Sequence, residues 1–422
     1  MNTLLLLLPI GLLIIGLPIY LILLTTSLAV LLLSPDTPAN VIQTVIFGSL
    51  GSFPLLAVPF FILAGEIMGQ GGIAKRLVAW VLALIGGVRG SLAVATIASS
   101  ELFGAMSGSA VGCVAAVGRL LYPALRENGY SARFSASLIT SSGAVAIVIP
   151  PSIAMIIYSV TAQQPLTALF VAGLLPALMI AALNAAYVLV YARIEMVPVT
   201  SKLRWRNVLI TTKEASWALG TIAVIFGGIY GGVFTPTEAA GIAVVYASFV
   251  TVFIYRDIKP RELIGIARNA AMLTTQIMLI VACAGLYSWL LTTSGIPQQV
   301  AGAISGLHAG PVGTLLLMNL VLLLVGSFLE PPAAILVMVP LFLPLGQALG
   351  VNPIHFGVIF AVNLSIGLYT PPFGLNIFAS HLLLGQPLGQ LYRGVLPFLA
   401  LNLVALMLIT YIPQISLALV SH

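Results

Sequence analysis

Charge is scarce in this chain. Asp, Glu, Lys and Arg make up 6% of its 422 residues, against 60% hydrophobic residues. That leaves too little polar surface to coat a soluble globule of this length. Metal- and thiol-bearing side chains are also few. His308, His355, His381 and His422 are scattered and give no metal cluster. Cys113 and Cys283 stand in apolar helical contexts that fit packing. A nucleotide loop in helix-strand context is missing, as is any combination recognisable as a catalytic triad. The net charge of +6 marks loops instead of one continuous patch, which excludes nucleic acid as a partner. The run Leu4–Leu33 lacks a basic start and a small-residue cleavage site, so it reads as one long or two short spans around Pro9 and Pro18, and not as a signal peptide.

What the chain has instead is apolar runs, recurring at roughly the 20 residues that cross a hydrocarbon core as a helix. A transmembrane β-barrel would show short alternating segments. The sequence therefore predicts an all-α polytopic membrane protein with the lipid bilayer as its solvent.

Two stretches break the apolar pattern with small residues, hydroxyls and prolines: Gly104–Gly112 and Ile149-Pro150-Pro151. Each has a counterpart at one displacement, 371 − 150 = 221 residues from Pro150-Pro151 to Pro371-Pro372. The same step sets Ser107-Gly108-Ser109 against Phe328-Leu329-Glu330, Gly129 against Gly350, and Gly173 and Pro176 against Gly394 and Pro397. The chain is duplicated. Lys75, Arg76, Arg89, Arg119, Arg126 and Arg133 crowd one half, whereas the matching stretch from 296 to 354 has no Lys or Arg. Conversely, Arg256, Lys259, Arg261 and Arg268 match the basic-free loop Ser34–Gln43, which holds Asp36. Exchange of the basic side between halves is what inverted-topology repeats predict.

The first repeat covers 1–192, with a span from Phe53 to Met68 and a short charged arm at Gly71–Arg89. A re-entrant hairpin follows at about 90–125, then a broken helix at about 131–159 and a returning span from Thr167 to Ala192. A basic linker at 193–214 leads to the second repeat, 215–422. That repeat has spans at about 215–233, 237–255 and 270–290, a hairpin at about 312–349, a broken helix at about 352–381 and a last span at 394–412. The basic loops 193–213 and 256–268 are expected on the cytoplasmic side.

Irregular backbone deep in a membrane is tolerated where it is buried in protein or lines a cavity. Freed carbonyls and hydroxyls there suit a hard cation, and half-helix N-termini suit anions. The candidate Na⁺ ligands of the first repeat are Ser107, Gly108 and Ser109 with Ser142, Gly143 and Ile149. Those of the second are Gly326 and Glu330 with Gly367, Thr370 and Pro371. Ser109, Asn363 and Thr370 are candidate substrate contacts. The competing reading makes Ser-Gly-Ser a close-packing motif between helices. Glu330 is open between ion ligand, helix cap and solvated residue; Glu238, behind Thr235-Pro236-Thr237, reads as a cap. Glu66 reads as an interfacial residue, solvated or paired, and Arg119 as a snorkelling or paired one. Asn319, Asn363 and Asn376 are placed to hydrogen-bond across helices. No organic cofactor is expected.

Met106-Ser-Gly-Ser-Ala-Val111, Ile149-Pro-Pro-Ser-Ile153, Gly232-Val-Phe-Thr-Pro-Thr-Glu-Ala-Ala240, Pro353-Ile-His-Phe-Gly357 and Thr370-Pro-Pro-Phe-Gly374 resemble the large membrane subunit of tripartite ATP-independent periplasmic (TRAP) transporters. The resemblance runs from end to end. It implies a Na⁺-driven importer of organic acids in the bacterial inner membrane, within the wider ion-transporter superfamily. It further implies a periplasmic substrate-binding protein and a small four-helix membrane subunit as partners, and an elevator motion of hairpins and broken helices against a scaffold. At the second tip the chain departs from the family pattern, with Glu330-Pro331 where Asp before a small residue is commoner. The alternative within the same fold is a stand-alone anion:cation symporter. An intramembrane hydrolase would need a nucleophile and base, for which Ser109 with His381 is the sole pairing on offer.

Overall fold

The computed structural model describes residues 2–33, 39–199, 204–306 and 309–420. Asp36, His308 and His422 lie outside the described residues. All described regular structure is helical, in chain order α1 (Asn2–Ile14), α2 (Ile19–Leu32), α3 (Ala39–Leu50), α4 (Ala57–Gln70), α5 (Ile73–Leu84), α6 (Ser91–Ser107) and α7 (Ala110–Glu127). Then come α8 (Ala132–Val145), α9 (Ile153–Ala162), α10 (Leu166–Ile194), α11 (Trp205–Tyr230), α12 (Pro236–Phe249) and α13 (Glu262–Thr293). The chain closes with α14 (Ile296–Gly306), α15 (Gly310–Phe328), α16 (Pro331–Ala348), α17 (Pro353–Gly367), α18 (Leu375–Leu384), α19 (Leu388–Tyr411) and the short α20 (Gln414–Leu417). Among the described residues, nine helical segments are long and apolar enough to cross a membrane. This is a multi-pass membrane protein.

Pro18 separates α1 from α2, so the N-terminal run is two short helices. Two helices were not visible in the sequence. Helix α3 begins inside the stretch read as the loop Ser34–Gln43, and α14 fills the gap before the second hairpin; neither reaches 20 residues. Helix α11 starts at Trp205, within the stretch read as linker, and its first turns carry Arg206 and Lys213.

The innermost element is the first broken helix: 89% of its most apolar window is buried, against 28% for α11. Hairpin α6–α7 and helices α17 and α18 pack on it. Around this core, α4 packs on α12, α5 on α11, and α13 on α2, α3, α4 and α16. Helix α5 is held to the second half by Trp80 Nε1, which donates to Thr212 Oγ1 at 3.0 Å. Arg76 pairs with Asp257 and lies 3.7 Å over the Tyr255 ring. The π-helical turn Val250–Ile254 ends α12 beside this contact.

Helix α12 begins with a reciprocal cap. The Thr235 amide donates to Glu238 Oε2 at 2.8 Å, and the Glu238 amide donates to Thr235 Oγ1 at 3.3 Å. Glu238 is thus a capping residue, as its position in the first turn predicts. Thr235→Ala removes the cap and is expected to cost about 1 kcal/mol. Thermal unfolding of the purified protein should show the lower midpoint while transport persists.

Candidate functional site

Helix α6 stops because Gly108 adopts the left-handed conformation (φ 60°), open to glycine without a Cβ penalty. Ser109 then turns extended and starts α7, its Oγ accepting from the Gly112 amide at 3.1 Å. The tip is wedged between two elements. A methyl on Gly65 of α4 would fall 2.7 Å from Ser107 Cα, and one on Gly108 would fall 2.9 Å from Ile153 Cγ1 at the start of α9. Facing it, α8 tightens into a 3-10 turn over Ala146–Val148 and stops at Ile149. Pro150-Pro151, joined by a cis bond, supply no amide protons, so carbonyls at the end of α8 lose their helical donors. Ser152 restarts the chain as α9, its Oγ accepting from the Met155 amide at 3.4 Å.

The second half builds the same figure from different residues. Helix α15 stops at Phe328, Leu329 is extended, and Glu330 holds the N-cap position of α16. The Glu330 side chain makes no cap hydrogen bond and is exposed. Helix α17 stops at Gly367, and the chain passes through Thr370 and the cis Pro371-Pro372 pair to α18. Hairpin and break are joined directly here: the Gly374 amide donates to Ser327 O at 3.0 Å. The Phe328 and Phe373 rings meet at 4.5 Å. The backbones cross at a glycine pair, since a methyl on Gly367 would lie 2.6 Å from the Gly326 carbonyl carbon. In the first half Gly104 crosses Ala146 in the same way, with a methyl 2.5 Å from Ala146 Cβ.

The structure therefore brings Gly108 against Ile153, just after the first break, and Ser107 against Gly65 of α4, while Gly326 meets Gly367 directly. Gly143 packs against the start of α7, where a methyl would meet Val114 Cγ2 at 2.7 Å. Ser107, Ser142, Gly143, Gly326 and Gly367 are buried, whereas Gly108, Ser109, Ile149, Thr370 and Pro371 are half-buried. The Thr370 hydroxyl donates back to Ile366 O at 2.8 Å, which leaves its oxygen able to accept.

Asn363 lies deeper than the break. Its amide nitrogen donates to Asn319 Oδ1 at 2.9 Å and Asn319 O at 3.1 Å, while Asn319 donates to Thr410 Oγ1 at 3.0 Å. It bonds across helices, and its Oδ1 has no partner among the described residues. Asn376 ties the two broken helices together, donating to Thr140 O at 3.3 Å, beside the Thr140–Ser380 hydroxyl pair at 2.7 Å. Glu66 is half-buried and accepts from Gln70 at 3.0 Å, and Arg119 is exposed. The hydrolase pairing does not form: Ser109 caps α7, and His381 Nδ1 is 2.7 Å from Gln386 O. An open cleft of about 630 Å³ lined by Ser131, Arg133, Gln390 and Arg393 sits at the opposite end of α8 from its break.

Sequence reasoning missed Glu101. It is buried on α6, with neither carboxylate oxygen hydrogen-bonded among the described residues. The displacement of 221 would have exposed it, because its counterpart is Leu322.

The match to known proteins covers this whole architecture. A family model for the tripartite ATP-independent periplasmic transporter, DctM component, matches residues 6–415. The chain belongs to the DctM family. This permease is 41% identical to the C4-dicarboxylate TRAP transporter large permease protein DctM of Pseudomonas aeruginosa, over 94% of this chain and 92% of that one. It is 37% identical to the ectoine TRAP transporter large permease protein TeaC of Halomonas elongata, over 99% and 98%. Among solved structures, the YdaH transporter of Alcanivorax borkumensis superposes with a TM-score of 0.64 at 15% identity, over 90% of both chains. That likeness concerns the fold alone. DctM-family membership makes the chain a transporter permease subunit.

Proposed function

We propose that this permease couples inward Na⁺ movement to import of a small organic acid or related solute. The observation that carries the reading is the doubled crossing: in each half a hairpin tip is laid on a helix broken at a Pro-Pro pair. Na⁺ binds at Ser107, Gly108, Ser109 and Ile149, with Gly143 behind them, and at Gly326, Glu330, Gly367, Thr370 and Pro371. Oxygen-rich, nearly uncharged sites of this kind hold a hard cation without the cost of burying a carboxylate. Solute sits between the two, at Ser109 and Thr370 with Asn363 behind, where the half-helix N-termini of α7, α9, α16 and α18 favour an anionic group. The named solutes of the two relatives, a C4-dicarboxylate and ectoine, both carry a carboxylate that such helix ends can bind.

The repeats lie inverted in the bacterial inner membrane, with 193–213 and 256–268 on the cytoplasmic side. Hairpins and broken helices travel as one elevator body against the remaining spans, and the ties of α5 to α11 and Asp257 anchor its arm. A periplasmic binding protein delivers the solute, and a small four-helix subunit completes the membrane complex. Reconstitution decides between this and a stand-alone anion:cation symporter. Uptake into vesicles should require added binding protein, and uptake by the purified single chain would favour the symporter.

A further inference from the structure

Glu101 is 5% exposed on α6, and neither Oε1 nor Oε2 meets a hydrogen-bond donor among the described residues. The one ion pair among those residues is Arg76–Asp257, so no described cation balances it. A buried carboxylate without a partner is among the costliest groups a membrane interior can hold. Protonation alone does not remove the difficulty, since a carboxylic acid still needs an acceptor for its proton and a donor for its second oxygen.

Three contacts fix what surrounds it. Gly104 of α6 crosses Ala146, Gly143 of α8 packs on Val114 and the Ala110 carbonyl, and Cys113 Sγ donates to Ser100 O at 3.4 Å. Helices α6 and α8 run parallel, because α7 turns back between them. One turn back along each, at the 5.4 Å pitch, from the Gly104–Ala146 crossing brings Ser100 and Glu101 level with Ser142. Ser100 and Ser142 are each 1% exposed, and their hydroxyls also lack partners among the described residues. One layer of the first repeat thus holds four buried oxygens with nothing to bond: two of Glu101, one of Ser100 and one of Ser142.

We propose that Glu101, Ser100 and Ser142 form a separate Na⁺ site, two helical turns below the hairpin tip. All-oxygen donors suit a hard cation, a single carboxylate neutralises a single charge, and the cation satisfies all four atoms together. Ser142, grouped with the first break by its place in the chain, belongs by depth to this layer. The second repeat has no such site, because buried Leu322 stands where Glu101 would be. The site is independent of the tip-and-break ligands.

Equilibrium binding of ²²Na⁺ to the purified chain tests it. Glu101→Gln, which preserves shape, should bind one Na⁺ fewer per chain than the native protein at saturation. Ser142→Ala guards against misfolding of the first variant and should weaken the same ion roughly tenfold, the value of one ligand at about 1.4 kcal/mol. Unchanged stoichiometry in Glu101→Gln, or unchanged affinity in Ser142→Ala, overturns the site, and a proton as its occupant would give that result. Ser109→Trp and Thr370→Trp separate it from the tip sites: they should lose other ions and retain the one that Glu101→Gln removes. If they lose none while Glu101→Gln loses one, the Glu101 site stands and the tip assignment fails.

Discussion

Ser109→Trp and Thr370→Trp each reduce Na⁺-driven uptake by roughly 100-fold or more while the protein still assembles in the membrane. An oxygen facing a charged group contributes about 1.5–3 kcal/mol, so displacing two is a change of roughly two to four decades in ion binding. Both side chains are half-buried at the margin of a crossing, so an indole can occupy the break without rebuilding the core. Vesicle uptake measured beside size-exclusion profiles of the purified variants checks the pair. Uptake near the native level in either variant removes that residue from the site.

Gly367→Leu has the second large effect, for a different reason. Its Cβ would stand 2.6 Å from the Gly326 carbonyl carbon, and backbone cannot swing away as a flexible side chain can. Overpacking of this kind costs about 1–3 kcal/mol in stability. Because the strain falls where the α15–α16 tip seats on α17, transport should vanish even where the fold survives. Gly241→Ala is the control, since a methyl there meets nothing within 4 Å and an Ala in mid-helix is preferred by up to about 1 kcal/mol. A fall in thermal midpoint and lost uptake for Gly367→Leu, with neither for Gly241→Ala, is the expected pattern.

The sequence made the crossings legible because prolines and glycines announce themselves inside apolar runs. Pro150-Pro151 and Pro371-Pro372 mark both breaks, and Ser107-Gly108-Ser109 marks the first tip. The second tip was harder, since Phe328-Leu329 looks like ordinary helix, and its aromatic contact with Phe373 joins residues far apart in the chain. Helices α3 and α14 escaped notice because they are too short to read as spans. Asn363 and Asn319 were both legible as residues placed to bond across helices, but their pairing with each other was not, because it depends on how α15 lies against α17. Glu101 was hidden by its serine-rich neighbours, which make it read as part of a polar stretch. Its isolation appears only once α6, α7 and α8 are packed together.

The central claim is that a cation held at the two crossings drives the solute inward. Uptake by vesicles containing the assembled transporter and supplied with binding protein, followed under an imposed Na⁺ gradient and under an imposed proton gradient, addresses it most directly. Accumulation should appear with the Na⁺ gradient and collapse when that gradient is dissipated. Accumulation sustained by the proton gradient in Na⁺-free medium would contradict it.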